Sequence, residues 1–342
     1  MKFLVVGDGF VRSFLFVDGL RKYFPDANFV EHEVPWPNEP FYDDDEVKEY
    51  SGNPADLMPL IKDADVLAVD TAPVTEALLR ASSKLKAVAC TRGGPVNVNI
   101  RACSSRKIPV FNSPGRNESA VVEFTVGATL ALMKNMALGH YELKRGIWRG
   151  DLYLYERVGP ELSDLTVGIV GYGKVGRNVA KMFSLFGCKI LVYDPYVVSS
   201  IVEEDGHKVT DLDDLLKTAD VVSLHVRLSP ETDKMMDECK FNLMKSSAYF
   251  INTARGGVVD YDALYKALAD GKIKGAALDV FDPEPLPPDH PLTKLDNVLL
   301  TPHIAGASKK SAIRGVETVA EALYRYFNSG ELKSCVNKEV FT

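Results

Sequence analysis

Residues 166–194 constrain the fold more than any other part of the chain. An apolar run, Val167-Gly168-Ile169-Val170, breaks into Gly171-Tyr172-Gly173-Lys174-Val175-Gly176, passes through a helix-compatible stretch, and returns as a second apolar run at 189–193 that ends on Asp194. A glycine-rich turn alone says little, because such turns occur in many loops. Strand, GxGxxG, helix, strand and an acid about twenty residues on together describe a dinucleotide site. Gly171 permits the tight turn, Gly173 lets backbone approach a pyrophosphate, Gly176 lets helix pack on strand, and the helix N-terminus offers free N–H groups to the phosphates.

Asp194 also selects the cofactor. A carboxylate accepts hydrogen bonds from a free ribose 2′-hydroxyl and repels a 2′-phosphate, and Pro195 and Tyr196 supply no arginine to neutralise one. The expectation is NAD rather than NADP.

The 342 residues, 46% hydrophobic and 25% charged, suffice for two domains that each bury a core. A net charge of −7 argues against nucleic acid as a main partner. No apolar run approaches the roughly 18 residues of a membrane span, and the chain enters a strand at once with no signal-peptide pattern, so a cytoplasmic protein without a membrane partner is expected. Cys90, Cys103, Cys188, Cys239 and Cys335 show no CxxC or Cys/His ligand spacing. They read as packing thiols in a reducing compartment, with no structural metal.

Strand-like and helix-like runs alternate throughout, the pattern of parallel sheets covered by helices. Strands are expected at 2–7, 28–34, 65–70, 85–91 and 109–112, with 35–54, which contains Trp36-Pro37 and the acidic run 43–46, read as a solvated loop. Beyond Pro114-Gly115, residues 118–143 read as one long apolar helix leading to six strands of a doubly wound sheet at 166–171, 189–194, 221–226, 248–252, 276–280 and 298–301. The amphipathic stretch 309–327 has no strand of its own and returns to the first domain. The expected fold class is α/β, with two Rossmann-like doubly wound parallel-sheet domains. The substrate domain comprises 1–116 and 309–342, and the NAD-binding domain, 117–308, is inserted into it.

Arg255 follows a strand end on the glycine-flanked turn NTARGG, where its planar fork can pair bidentately with a substrate carboxylate. If the dinucleotide site serves a dehydrogenase, the hydride taken by NAD leaves with a proton, so a group that exchanges protons near neutral pH must stand by the substrate. His303, just past the last strand, is the candidate. His32, His140, His207 and His290 read as structural or solvated.

The ordered motifs Ile108-Pro109-Val110, Pro114-Gly115-Arg116-Asn117, Ala120 to Thr125, GYGKVG, Tyr193-Asp194-Pro195, Asn252 to Gly257, Ala277 to Pro285 and Thr301-Pro302-His303-Ile304-Ala305-Gly306 resemble those of the D-isomer-specific 2-hydroxyacid dehydrogenases, over nearly the whole chain. The resemblance implies an NAD-dependent oxidoreductase that interconverts a D-2-hydroxy acid and its 2-keto acid by hydride transfer, with glycerate or hydroxypyruvate, 3-phosphoglycerate or a longer sugar acid as substrate. It assigns Arg255 to substrate binding, His303 to proton exchange and Glu284 to a carboxylate partner that raises the proton affinity of His303. Formate dehydrogenases of the family carry glutamine where Glu284 stands, which disfavours formate here. For NAD, the resemblance implies contacts from Thr125, Gly171, Gly173, Lys174, Val175, Gly176, Asp194, Pro195, His225, Val226, Thr232, Thr253, Ala254, Asp279 and Ala305, with Asp279 bonding the nicotinamide carboxamide. It also implies a homodimer, in keeping with the apolar segment 118–143 and the aromatic one, 148–155.

The substrate end departs from the family pattern. Thr91-Arg92-Gly93-Gly94-Pro95 stands where many relatives carry a valine-glycine pair whose amides hold the substrate carboxylate. Gly93 and Gly94 still offer amides, whereas Arg92 either binds a second anionic or polyhydroxylated part of the substrate or pairs with a neighbouring acid. Nothing after the final helix reads as an amino-acid-sensing domain, so serine feedback is not expected. A reading from another class is a non-catalytic NAD(H)-sensing protein of the corepressor type, against which Arg255, Glu284 and His303 weigh.

Overall fold

The computed structural model describes residues 1–37 and 41–341. The chain forms two compact units, the first from Met1–Asn117 and Ala307–Thr342, the second from Glu118–Gly306.

In the first unit five parallel strands, β1 (Lys2–Gly7), β2 (Asn28–Glu33), β3 (Val66–Val69), β4 (Ala87–Cys90) and β5 (Val110–Phe111), lie in the order β2-β1-β3-β4-β5. The interior strands are continuous apolar runs because both faces of a parallel sheet are covered. Phe3 and Val5 point to one face, where they pack with Phe16, Leu20, Val316 and Leu323 of the helices Ser13–Arg21 and Lys309–Ser329. Leu4 and Val6 point to the other, against Leu57, Ile61, Leu78 and Ala102 of three shorter helices. The final helix thus belongs to this unit and covers its sheet.

Over its described part the loop at 35–54 is largely exposed, as expected, and it is also pinned as a hairpin; residues 38–40 lie outside the described residues. Tyr42 and Tyr50 pair as an antiparallel bridge. Asp44 Oδ1 accepts from the Glu46 and Val47 amides, each at 2.7 Å, and Val47 is fully buried. The acids that suggested a solvated run are partly spent on local backbone N–H groups.

The second unit holds seven parallel strands, one more than expected: β6 (Thr166–Val170), β7 (Lys189–Tyr193), β8 (Lys208–Val209), β9 (Val221–Leu224), β10 (Tyr249–Asn252), β11 (Gly275–Leu278) and β12 (Val298–Leu300). Their order is β12-β11-β10-β9-β6-β7-β8. The extra edge strand, β8, has two residues and one is a lysine, so it leaves no apolar run to recognise. The order reverses between β6 and β9, and it is at such a switch point that open α/β sheets bind ligands beyond their strand carboxyl ends.

The single helix expected over 118–143 is two, Glu118–Met133 and Met136–Lys144, bent by 66°. Asn135 sits at the break with φ 54°, a left-handed conformation that asparagine tolerates better than most residues. No single helix among the described residues is long and apolar enough to cross a membrane.

Candidate active site

The glycine turn leaves the end of β6 at the switch point. Gly171 has φ 93°, and a Cβ there would lie 2.7 Å from the His225 carbonyl oxygen; one on Gly176 would lie 2.0 Å from the Gly171 oxygen. The protein itself therefore demands both glycines. Gly173 differs, because its φ is −68° and an added Cβ would meet nothing within 4 Å. The backbone there is open in front of the helix Lys174–Leu185, which fits a pyrophosphate cradle.

Asp194, at the tip of β7, accepts the Tyr172 amide on Oδ2 at 2.7 Å and the Tyr196 amide on Oδ1 at 2.8 Å. Each oxygen keeps a lone pair for ribose hydroxyls. An arginine that the sequence reading overlooked lies in the first turns of the same helix: Arg177 donates to Asp205 through Nε at 2.6 Å and Nη2 at 2.8 Å. The Tyr172 hydroxyl donates to the same carboxylate at 2.7 Å. Asp205 thus ties the second residue of the glycine turn to the helix that follows it, and nothing in the sequence near the motif announces it.

Other expected cofactor contacts gather at the neighbouring strand ends. The His225 amide continues the sheet to the Val170 oxygen at 2.7 Å, and Val226 lies against Gly171. The His225 ring bonds Ser223 Oγ at 2.9 Å, and desolvation pushes its pKa down to about 3, so it is neutral at working pH. The Thr125 and Thr253 hydroxyls, both buried, meet at 2.9 Å, and Ala254 follows at the end of β10. Lys174 pairs with Glu118 at 3.3 Å, Val175 is half-buried and Pro195 is exposed. Thr232 is engaged within its own loop, donating to the Arg227 oxygen at 2.6 Å.

Arg255, Glu284 and His303 come from the loops that leave β10, β11 and β12. The Glu284 carboxylate meets His303 Nδ1 at 3.0 and 3.1 Å, which leaves Nε2 free on a ring that is half-exposed. This pairing holds the His303 pKa above the ordinary 6.5, against desolvation and the charge of Arg255. His303 itself has φ 53°. A buried Asp279 stabilises that turn by accepting from Thr301 Oγ1 at 2.6 Å, the Ile304 amide at 2.9 Å and the Ala305 amide at 2.8 Å. A carboxylate has about four acceptor positions, so one remains for a carboxamide.

Backbone geometry couples these loops. A Cβ on Gly256 would stand 1.7 Å from the Phe281 carbonyl oxygen, so the β10 and β11 loops touch main chain to main chain. Asn252, fully buried and not anticipated as a site residue, braces the Arg255 turn from within: its side chain donates to the Arg255 oxygen and accepts the Ala254 amide, both at 3.0 Å. The Arg255 guanidinium is exposed and rests on the Ala254 carbonyl at 2.6 Å.

In the first unit the exposed amides of Gly93 and Gly94 donate to no described residue. Of the two alternatives for Arg92, the structure shows pairing with an acid: Nη1 donates to the Glu49 carbonyl at 2.7 Å and Nη2 to the Glu49 carboxylate. Among the minor histidines, His32 lies in β2, and His207 is buried edge-on to Tyr172. Four of the five cysteines are buried, whereas Cys239 is exposed rather than packed.

A glycine turn at the switch point of a parallel sheet, with a carboxylate-paired imidazole and an arginine at adjacent strand ends, defines a dinucleotide-dependent oxidoreductase. The model of the D-isomer specific 2-hydroxyacid dehydrogenase NAD binding domain matches residues 126–305. A glyoxylate reductase of Thermofilum pendens is 40% identical over 299 residues, spanning 86% of this chain and 88% of that one. A D-3-phosphoglycerate dehydrogenase of Methanocaldococcus jannaschii is 39% identical over 81% of this chain and 52% of that longer protein. The NAD-complexed D-isomer specific 2-hydroxyacid dehydrogenase of Lactobacillus delbrueckii superposes with a TM-score of 0.76 at 26% identity, covering 96% of this chain and 98% of that one. The chain belongs to the D-isomer specific 2-hydroxyacid dehydrogenase family and is an enzyme with NAD as its cofactor.

Proposed function

We propose that this enzyme reduces a small 2-oxo acid of the glyoxylate or hydroxypyruvate type to the corresponding 2-hydroxy acid, the D isomer where carbon 2 becomes a stereocentre, and catalyses the reverse oxidation. The observation that carries this reading is the Glu284 carboxylate on His303 Nδ1 at 3.0 Å, with the charge of Arg255 felt at the same imidazole. NAD, when bound, carries the hydride. In reduction the protonated His303 gives its Nε2 proton to the ketone oxygen, and Glu284 stabilises the imidazolium until it does so. The Arg255 fork binds the substrate carboxylate.

Two further readings accompany it. Asp194, with a lone pair left on each oxygen and Arg177 held by Asp205, supports NAD in preference to NADP. An exposed band on the second unit, with Trp148 83% and Tyr153 and Tyr155 each 91% exposed, supports a homodimer formed through this unit. The five unpaired thiols fit a reducing compartment such as the cytoplasm. The deciding experiment is a panel of 2-keto acids with purified protein and NADH, followed at the nicotinamide absorbance. Reduction of glyoxylate or hydroxypyruvate is expected, and tight NADH binding without reduction of any keto acid would refute the proposal.

A further inference from the structure

The segment that carries Arg255 runs from Asn252, the last residue of β10, to Tyr261, the first residue of the helix Tyr261–Ala269. Its two ends meet. The Asn252 side chain, which braces the Arg255 turn, also reaches the Tyr261 hydroxyl, where it opposes the rise in the phenol's pKa that burial and the charges of Glu284 and Asp282 cause. Tyr261 is 6% exposed, and its ring packs on Phe281 at a centroid distance of 6.2 Å. The helix does not need this hydroxyl for its own start, because Asp260 caps it by accepting the Asp262 and Ala263 amides at 3.1 and 3.0 Å.

The Tyr261 hydroxyl instead donates out of its own segment, to the carbonyl oxygen of Val280. Val280 is buried in the stretch that leaves β11, four positions ahead of Glu284. No other described residue donates to that carbonyl, and a buried carbonyl without a donor is costly, so the bond is one the fold does not give up freely. The main-chain contact at Gly256 sets how closely the two loops approach. A hydrogen bond adds direction, which a contact between backbones lacks.

His303 is faced by three charged groups, Glu284, Asp279 and Arg255. Asp279 is secured by Thr301 and by the Ile304 and Ala305 amides. The Glu284 carboxylate has no hydrogen-bond partner except His303 among the described residues, so its placement comes from the stretch behind it.

We propose that Tyr261 is a positioning residue for the reaction, whose hydroxyl fixes the segment bearing Glu284 against the segment bearing Arg255 and so keeps the Glu284 carboxylate on His303. This rests on the roles given to those three residues above.

The test is Tyr261→Phe, which keeps the ring on Phe281 and removes only the hydroxyl. Reduction of the keto acid is expected to slow roughly tenfold in kcat, with NADH affinity little changed. The alkaline limb of the kcat profile should move to lower pH, because a carboxylate that drifts from the imidazole stabilises its protonated form less. In a Glu284→Gln background the same substitution should move the limb no further, since the charge it positions is gone. A variant that melts at lower temperature yet keeps the kcat and the limb of the intact enzyme has lost a merely structural bond, and that result overturns the proposal. Equal shifts of the limb in the two backgrounds also overturn it. If the intact enzyme reduces no keto acid, the dehydrogenase reading fails by itself, and an NMR titration of the His303 ring in the NAD-loaded protein decides the role of Tyr261. A lower ring pKa in Tyr261→Phe supports that role, and an unchanged one overturns it.

Discussion

Glu284 presents both carboxylate oxygens to one nitrogen of His303, Oε2 at 3.0 Å and Oε1 at 3.1 Å from Nδ1. The negative partner stabilises the imidazolium, so the His303 pKa lies above 6.5. Ketone reduction needs the protonated ring and should therefore persist above pH 6.5, then fall as pH rises through the elevated value. Alcohol oxidation, which needs the neutral ring, should grow over the same interval. Glu284→Gln removes the charge and should move both limbs to lower pH. Profiles of kcat against pH for the two enzymes check this, and superimposable profiles would contradict it.

Removing the imidazole separates chemistry from binding. His303→Ala should lower kcat by roughly 10² to 10⁴ with little change in NADH affinity, whereas Arg255→Ala should damage kcat and KM together. Steady-state kinetics with a fluorescence titration of NADH distinguish the two patterns. Full activity in His303→Ala would rule out the assignment.

Cofactor choice should respond at two positions. Asp194→Ala should narrow the preference for NAD mainly by weakening NAD itself. Asp205→Asn loosens both Arg177 and Tyr172, so KM for NAD should rise several-fold and the NADP to NAD ratio of kcat/KM should increase as Arg177 becomes available to a 2′-phosphate. The measurement is kcat/KM for each cofactor in the three proteins. More efficient use of NADP than NAD by the unaltered enzyme would defeat this account.

The exposed aromatic band yields a hydrodynamic prediction. Light scattering at micromolar concentration should report twice the 37.6 kDa chain mass, and the double substitution Trp148→Glu with Tyr153→Glu should shift it towards the single-chain value. A single-chain mass for the unaltered protein would disprove the dimer.

Where the fold was legible in the sequence, each element was set by its own residues. Buried parallel strands such as Val167–Val170 are apolar on both faces and stand out at once, and the glycines of the cofactor turn follow a spacing imposed by backbone contact. Features that depended on one residue, or on distant ones, were not legible. The helix break at Asn135 lies in a stretch apolar on both sides, so periodicity runs through it. The segment 41–50 is solvated as it reads, but that its acids also cap nearby amides and pin it as a hairpin is something composition cannot show. Arg92 was left between two roles because its partner, Glu49, is 43 positions away in sequence. Asp205 was missed for a similar reason: it lies 28 positions beyond Arg177.

At Gly256 the main chain leaving β10 meets the main chain leaving β11 with no room for even a methyl group. The arginine and the glutamate of the site are therefore not two independently placed groups. They ride on a shared seam, and Asn252 braces one side of it from below. A bulkier residue at 256 would have to push the two loops apart, and with them the turns that carry Arg255 and Glu284. The closeness of the two loops at the working end of this sheet thus depends on a residue that has no side chain.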